Sequence, residues 1–304
     1  MNFSRRDTIL AATSLGFASV LPSRTLATTS LGSGLLSTIS DGHLVLPGDF
    51  LFDPMPQDEL ARLLDEFGLS RARLEPECNL ALYQDGEMNV LFDVGAGPDF
   101  MPSVGAVYGS LDEIGLSPSD ITHVVFTHAH PDHIWGLLDE FDDLLFPDAR
   151  YMMGRAEWDY WWDPETVDSI GIARAAFAVG ARRRMEAIEN QVELFDDGQE
   201  ILPGIAAMAS YGHTPGHMSF ELQNGSETAM VVGDAIGNHH VAFARPDWPS
   251  GADQDMVKGA ETRQRLLQRL AQEQMVLVGF HLPGGGMGRT EKITHGYRFI
   301  GGDL

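Results

Sequence analysis

The stretch Thr127-His128-Ala129-His130-Pro131-Asp132-His133 constrains this chain more than any other. It places three imidazoles and a carboxylate within six residues, directly after an apolar run from Ile121 to Phe126 that reads as a buried strand. A buried strand fixes its C-terminal end, so side chains just beyond it can converge on one point. Imidazole nitrogen with carboxylate oxygen is the donor set that suits zinc and similar divalent ions.

Four later or earlier stretches repeat the pattern of a polar group at the end of an apolar run. Tyr211-Gly212-His213-Thr214-Pro215-Gly216-His217 follows the strand expected over Ile205 to Ser210. Val231-Val232-Gly233-Asp234 ends in a carboxylate, Gly279-Phe280-His281 ends in an imidazole, and Asp93 closes the strand expected over Asn89 to Asp93. Such groups are costly in a core unless they are hydrogen-bonded or bound to a metal.

The order of elements frames these ends. Residues 28–37 are rich in Ser, Thr and Gly and read as a flexible lead-in, followed by a short strand Leu44-Val45-Leu46. Pro56 to Gly68 carries a helical period with Gly68 as its stop, and Asn79 to Tyr83 pairs with the next strand across Gln84-Asp85-Gly86. Helices are expected over Pro102 to Ile114 and from 134 to 140, then a strand over Arg150 to Met153 and an irregular helical region from Arg155 to Gln191. Strands follow at Val192 to Phe195, Met218 to Leu222 and Ala229 to Val232. A long amphipathic helix over Ala252 to Gln274, a buried strand over Met275 to Phe280 and a final strand over Ile293 to Ile300 close the chain. Asp93 and His128 in the first half have counterparts in Asp234 and His281 in the second, which suggests two βαβ-containing halves facing each other across one site.

Composition excludes some roles. A net charge of −24 repels phosphate backbones and anionic membranes, so neither nucleic acid nor a membrane is an expected partner. One cysteine, Cys78, excludes an internal disulfide and a cysteine-rich metal site. No Gly-x-Ser-x-Gly elbow supports a serine nucleophile. Residues 1–27 have Ser4-Arg5-Arg6-Asp7, an apolar stretch from Thr8 to Leu21 and a small-x-small end at Ala27. This resembles a twin-arginine export signal, which implies a periplasmic or secreted protein whose mature domain is residues 28–304.

Taken together, His128-x-His130-x-Asp132-His133, Gly212-His213-Thr214-Pro215-Gly216-His217, Asp234 and His281 resemble the metallo-β-lactamase-fold hydrolases. The resemblance implies an α/β (α+β) single domain, a four-layer αββα sandwich, with two metals at one edge of the sheets. His128, His130 and His213 would hold the first metal, and Asp132, His133 and His281 the second. Asp234 and a hydroxide would bridge them. Zinc suits the donors best, with manganese, iron and cobalt as alternatives. Asp132 and Asp234 would orient the nucleophile and relay a proton, while Asp93 and His217 would orient ligands from behind.

Three further stretches resemble the exported methyl-parathion-hydrolase-like and lactonase-like branch: Asp93-Val94-Gly95-Ala96-Gly97 with Phe100, then Glu157-Trp158-Asp159-Tyr160-Trp161-Trp162, then His281-Leu282-Pro283 with Gly296-Tyr297-Arg298-Phe299. That similarity implies hydrolysis of small neutral esters, lactones or phosphotriesters in a pocket walled by Phe100, Trp158, Trp161 and Trp162. Branch members often pair, which implies a homodimer. The rival activities are an iron-dependent dioxygenase of the same fold and a lactam hydrolase. Lactam-cleaving members usually lack the bridging carboxylate that Asp234 supplies. Ala235, Ile236, Gly237 and Asn238 follow Asp234, so the tyrosine found there in the best-known quorum-signal lactonases is missing. His239 and His240 lie close in sequence and are candidates for substrate contact.

Overall fold

The computed structural model describes residues 27–302, so the export signal expected at 1–27 lies outside the described residues except for Ala27. Two seven-stranded sheets carry the architecture, and each follows chain order. The first runs β1 (Thr28–Leu31), β2 (Gly34–His43), β3 (Glu77–Asp85), β4 (Met88–Phe92), β5 (His123–Phe126), β6 (Arg150–Gly154) and β7 (Glu193–Phe195). The second runs β8 (Glu200–Leu202), β9 (Ile205–Ala209), β10 (Met218–Asn224), β11 (Glu227–Val231), β12 (Val276–Val278), β13 (Met287–Lys292) and β14 (Tyr297–Gly301).

In both sheets a hairpin leads into a parallel pair. Strands β3 and β4 are antiparallel and β4 runs parallel to β5, with Val90 opposite His123. Strands β10 and β11 are antiparallel and β11 runs parallel to β12, with Ala229 opposite Val276. The two halves expected from the sequence are therefore present as topology.

Alternation explains why the strands before the site are continuously apolar. Along β5, Val125 faces the second sheet, with Phe92, Met152, Phe220 and Val278, while Val124 and Phe126 face the helices outside. A strand buried on both faces has no polar side to show. Helices Val107–Glu113, Arg155–Trp162 and Ala175–Ile188 cover the outer face of the first sheet. Helix Met256–Glu273 covers the second through Leu266, Leu267 and Leu270, completing the four layers of one αββα domain. A separate cluster seats helices Gly48–Phe52 and Gln57–Phe67 against Val241, Ala244 and Trp248, as a cap beside the strand ends.

Several expectations change. Residues 28–37 form β1 and the start of β2 rather than a flexible lead-in; β1 pairs with β2, Thr28 opposite Ser37, and β2 pairs in turn with β3, so a Ser-, Thr- and Gly-rich stretch is held as strand by its partners. The strand at Leu44–Leu46 shrinks to Leu46–Pro47, paired with Arg73–Leu74. The helix expected from Pro102 starts at Val107, after Gly105 has turned the chain at φ +86°. In place of a helix over 134–140 there are a one-turn helix Pro131–Ile134 and a 3₁₀ turn Trp135–Leu137. A Cβ on Gly136 would lie 2.1 Å from the Val94 carbonyl, so this chain passes too close to the β4 end to continue as a helix. The final strand is the hairpin β13–β14. No helix among the described residues is long and apolar enough to cross a membrane.

Candidate metal centre

Four strand ends deliver the site. His128 stands two residues past β5, and His130 caps the short helix Pro131–Ile134, whose turn carries Asp132 and His133. His213 lies between β9 and β10, Asp234 in the 3₁₀ turn after β11, and His281 past β12. These seven side chains form two groups, His128 with His130 and His213, and Asp132 with His133, Asp234 and His281. Within each group the donor atoms lie within 4.8 Å of one another. Asp234 faces both: its Oδ2 is 3.4 Å from His213 Nε2 and 3.3 Å from His281 Nε2, and its Oδ1 is 3.4 Å from His133 Nε2.

The residues fit two cations. In the first group His130 Nδ1 lies 3.0 Å from His128 Nε2 and 2.8 Å from His213 Nε2. Burial, and then the neighbouring imidazoles, hold His128 and His130 well below the ordinary imidazole range, so both are neutral. The network assigns the one proton of His128 to Nδ1, 3.0 Å from Thr127 Oγ1, because that hydroxyl spends its own hydrogen on Asp93. The His128 Nε2 lone pair is thus aimed at other ring nitrogens, an arrangement a cation resolves. In the second group His133 Nε2 and Asp234 Oδ1 are buried with no hydrogen-bond partner. Burial opposes charge on His133, but Asp234, Asp132 and Asp93 outweigh it and push the ring up to about 10. A cluster that drives a buried imidazole to hold a proton is one that calls for positive charge.

A ring of groups behind the donors fixes their tautomers. Asp93 sits just past β4 at φ +65° and accepts from Thr127 N, Thr127 Oγ1 and His133 Nδ1, each at 2.8 Å. His281 Nδ1 donates to the Glu77 carbonyl at 2.8 Å. His213 Nδ1 lies 3.4 Å from Asp253, itself held by the buried Arg263 at 3.2 Å. His217 offers no free nitrogen: Nε2 accepts from Asp234 N at 3.0 Å, so Nδ1 carries the proton toward Ser210 Oγ at 2.8 Å. It supports Asp234 through the backbone.

Asp253 and Arg263 carry no mark in the sequence, and Glu157 stands there only as the first residue of an aromatic stretch. Glu157 is fully buried and takes four hydrogen bonds, from Ala129 N, Trp161 Nε1, Thr214 Oγ1 and Gly216 N. Burial raises its carboxyl above the usual range and those four donors pull it back. Its one visible signal is an acid opening an aromatic run.

A cavity of about 230 Å³ opens over the two groups. Phe100 lines it, with Leu46, Met55, Phe177 and Trp248, and His239 and His240 also reach it. Trp158, Trp161 and Trp162 do not line it. Trp161 is 1 % exposed and bonded to Glu157, while Trp158 stacks on Trp162 at 5.1 Å, so the helix turns these rings into the protein. The aromatic wall comes from Phe177 on the next long helix, edge-on to Phe100 at 6.3 Å. His240 is buried with Nδ1 unpartnered, and burial beside His239 pushes it down to about 3, so it is neutral.

The chain is similar to known proteins along this frame. A curated N-acyl homoserine lactonase, AttM of Agrobacterium fabrum, is 28% identical over 149 residues, 46% of this chain and 52% of that protein. The match therefore spans about half the length of that relative. The solved structure of AbOPH, a hydrolase in the beta lactamase superfamily, superposes with TM-score 0.85 at 24% identity, covering 93% of this chain and 99% of that one. AidC, a dizinc quorum-quenching lactonase in complex with a product, superposes with TM-score 0.84 at 24% identity, covering 92% and 98%. The family model of the metallo-beta-lactamase superfamily matches residues 75–281, from the strand that meets His281 to His281 itself, and this chain belongs to that superfamily.

Proposed function

We propose that this chain is a two-metal hydrolase that opens small neutral lactones or esters bearing an apolar group, with phosphotriesters as a further substrate class. The observation that carries the reading is Asp234, shared by two complete donor groups at the floor of an apolar cavity. His128, His130 and His213 would hold one ion, and Asp132, His133 and His281 the other, with Asp234 common to both. Bound divalent ions, zinc by preference, would polarise a carbonyl or phosphoryl oxygen and make water acidic near neutral pH.

The rest falls to the chain. Asp234 Oδ2, facing both groups, orients the attacking water, and Asp132 carries its proton toward the leaving oxygen. Leu46, Phe100 and Phe177 exclude water around the apolar part of the substrate. The lactone reading is also supported by the AttM relative, whose name states that activity.

The test is a panel of acyl-substituted lactones, aryl esters, phosphotriesters and lactams, assayed with zinc, manganese and cobalt. Lactones or esters lead the expected ranking, and Asp234→Ala abolishes every activity together. A ranking led by lactams sinks the substrate class. Less than about half an equivalent of metal per chain, with activity indifferent to chelator, sinks the two-metal reading.

A further inference from the structure

The aromatic segment Glu157–Trp162 leaves the cavity wall without the role the sequence suggested, and its acid is the most heavily engaged side chain near the site. Glu157 Oε1 accepts from Ala129 N at 2.9 Å, the amide between His128 and His130. Oε2 accepts from Gly216 N at 3.1 Å and Thr214 Oγ1 at 2.7 Å, the residue after His213. Trp161 Nε1 donates to Oε1 at 2.6 Å, and the same indole packs edge-on against His130, ring centres 5.7 Å apart. No cation pairs with Glu157 among the described residues. Backbone contact reinforces this: a Cβ on Gly216 would lie 2.1 Å from Glu157 N, so the second loop is seated directly on the start of the helix.

We infer that Glu157 is a positioning residue that ties the two loops of the His128–His130–His213 group together and sets the affinity of that group alone for its ion. This rests on the two-metal reading above. Each carboxylate oxygen serves one loop's backbone amide, so an isosteric amide can hold one loop but not both. In Glu157→Gln the side-chain NH₂ must face either Ala129 N–H or Gly216 N–H, donor against donor. None of the four contacts reaches Asp132, His133 or His281, so the second group is spared.

The experiment is chelator competition against the metal-loaded full chain, wild type and Glu157→Gln, with hydrogen exchange of both proteins freed of metal. One ion should leave Glu157→Gln at least tenfold more readily while the other keeps its affinity within twofold, the scale of an outer partner lost from a metal site. Ala129 or Gly216 amide protection should fall even without metal. Both ions unchanged, or both weakened alike, overturns the inference. Should Glu157→Gln fail to fold, Thr214→Val removes a single donor and should weaken the same one ion by about threefold, with Thr214→Ser restoring it; no weakening overturns the inference as well. If the wild type takes up fewer than two ions, the two-metal reading falls, and amide exchange alone decides whether Glu157 ties the loops.

Discussion

Asp93→Asn tests whether the tautomers of the site are set from behind. Asn is well suited to the positive φ of +65° at this position, so the substitution leaves the backbone unstrained and isolates the side chain's chemistry. Its oxygen can still accept from Thr127 N, as Oδ1 does at 2.8 Å. The NH₂ then faces Thr127 Oγ1 and His133 Nδ1, where Oδ2 had accepted from both. His133 must give up its Nδ1 proton, so the proton it keeps sits on Nε2, the nitrogen it turns toward Asp132 and Asp234. A hydrogen bond to a charged group is worth about 1.5–3 kcal/mol. Taking about 2 kcal/mol as the loss gives roughly 30-fold in affinity for the ion of the second group, within the range known for outer partners. Chelator competition measures the affinity, and ¹⁵N shifts of His133 in the metal-loaded protein report whether Nδ1 still carries a proton. Affinity within threefold of wild type, with the proton still on Nδ1, would refute the reasoning.

Other perturbations separate the site from its surroundings. Phe100→Ala should raise KM for apolar lactones roughly tenfold, about 1.4 kcal/mol or part of the transfer energy of a phenyl ring, whereas Trp162→Leu should lower thermal stability and leave KM within twofold; steady-state kinetics with a melting curve distinguishes them. Stripping both metals should lower the melting temperature by roughly 20 °C, because each ion at a thousandfold excess over Kd stabilises the fold by about 4 kcal/mol. Asp41 is buried and raised to about 6 by desolvation, against the pull of the Ala96, Ala106 and Val107 amides. A folded pKa above the unfolded 3.8 means this carboxyl favours folding below about 4 and loses that contribution as pH rises through 6. The stability of wild type relative to Asp41→Asn should therefore fall by roughly 2 kcal/mol from pH 4 to pH 7, read by denaturant unfolding. A pH-independent difference removes Asp41 as the cause.

The donor set was legible because its chemistry is local. His128 to His133 sit in one loop, and His213, Asp234 and His281 each end an apolar strand, so residue type and strand end together announce them. The wall of the cavity was not legible for the opposite reason. Phe177 reaches the site from a long helix whose other face is core, and nothing in its own neighbourhood marks which face is which. The tryptophans misled because aromatic content near a site looks alike whether the rings point out or in. Only the burial of Glu157, with Ala129 and Gly216 as partners from two other loops, turns that helix around. In the same way, the Ser, Thr and Gly of residues 28–37 conceal strands that only pairing, β1 with β2 and β2 with β3, brings out.

The two halves match in topology and part ways in chemistry, and the difference makes the site. In each, a hairpin strand runs into a parallel partner and a carboxylate follows the hairpin: Asp93 after β4, Asp234 after β11. Asp93 turns back at φ +65°, and its oxygens are consumed by Thr127 and His133. Asp234 enters a 3₁₀ turn instead, with its amide held by His217, which leaves Oδ1 without a partner and Oδ2 between His213 and His281. One carboxylate therefore fixes a ligand's tautomer while its counterpart is free to take cations. A single exchange of roles follows. If His217 were replaced by Phe, the Asp234 amide would lose its acceptor, and Asp234 Oδ1 could turn to local backbone donors as Asp93 does. The expected result is a folded protein in which both ions bind more weakly, since Asp234 serves both groups. Weakening confined to one ion would show that Asp234 belongs to one group alone.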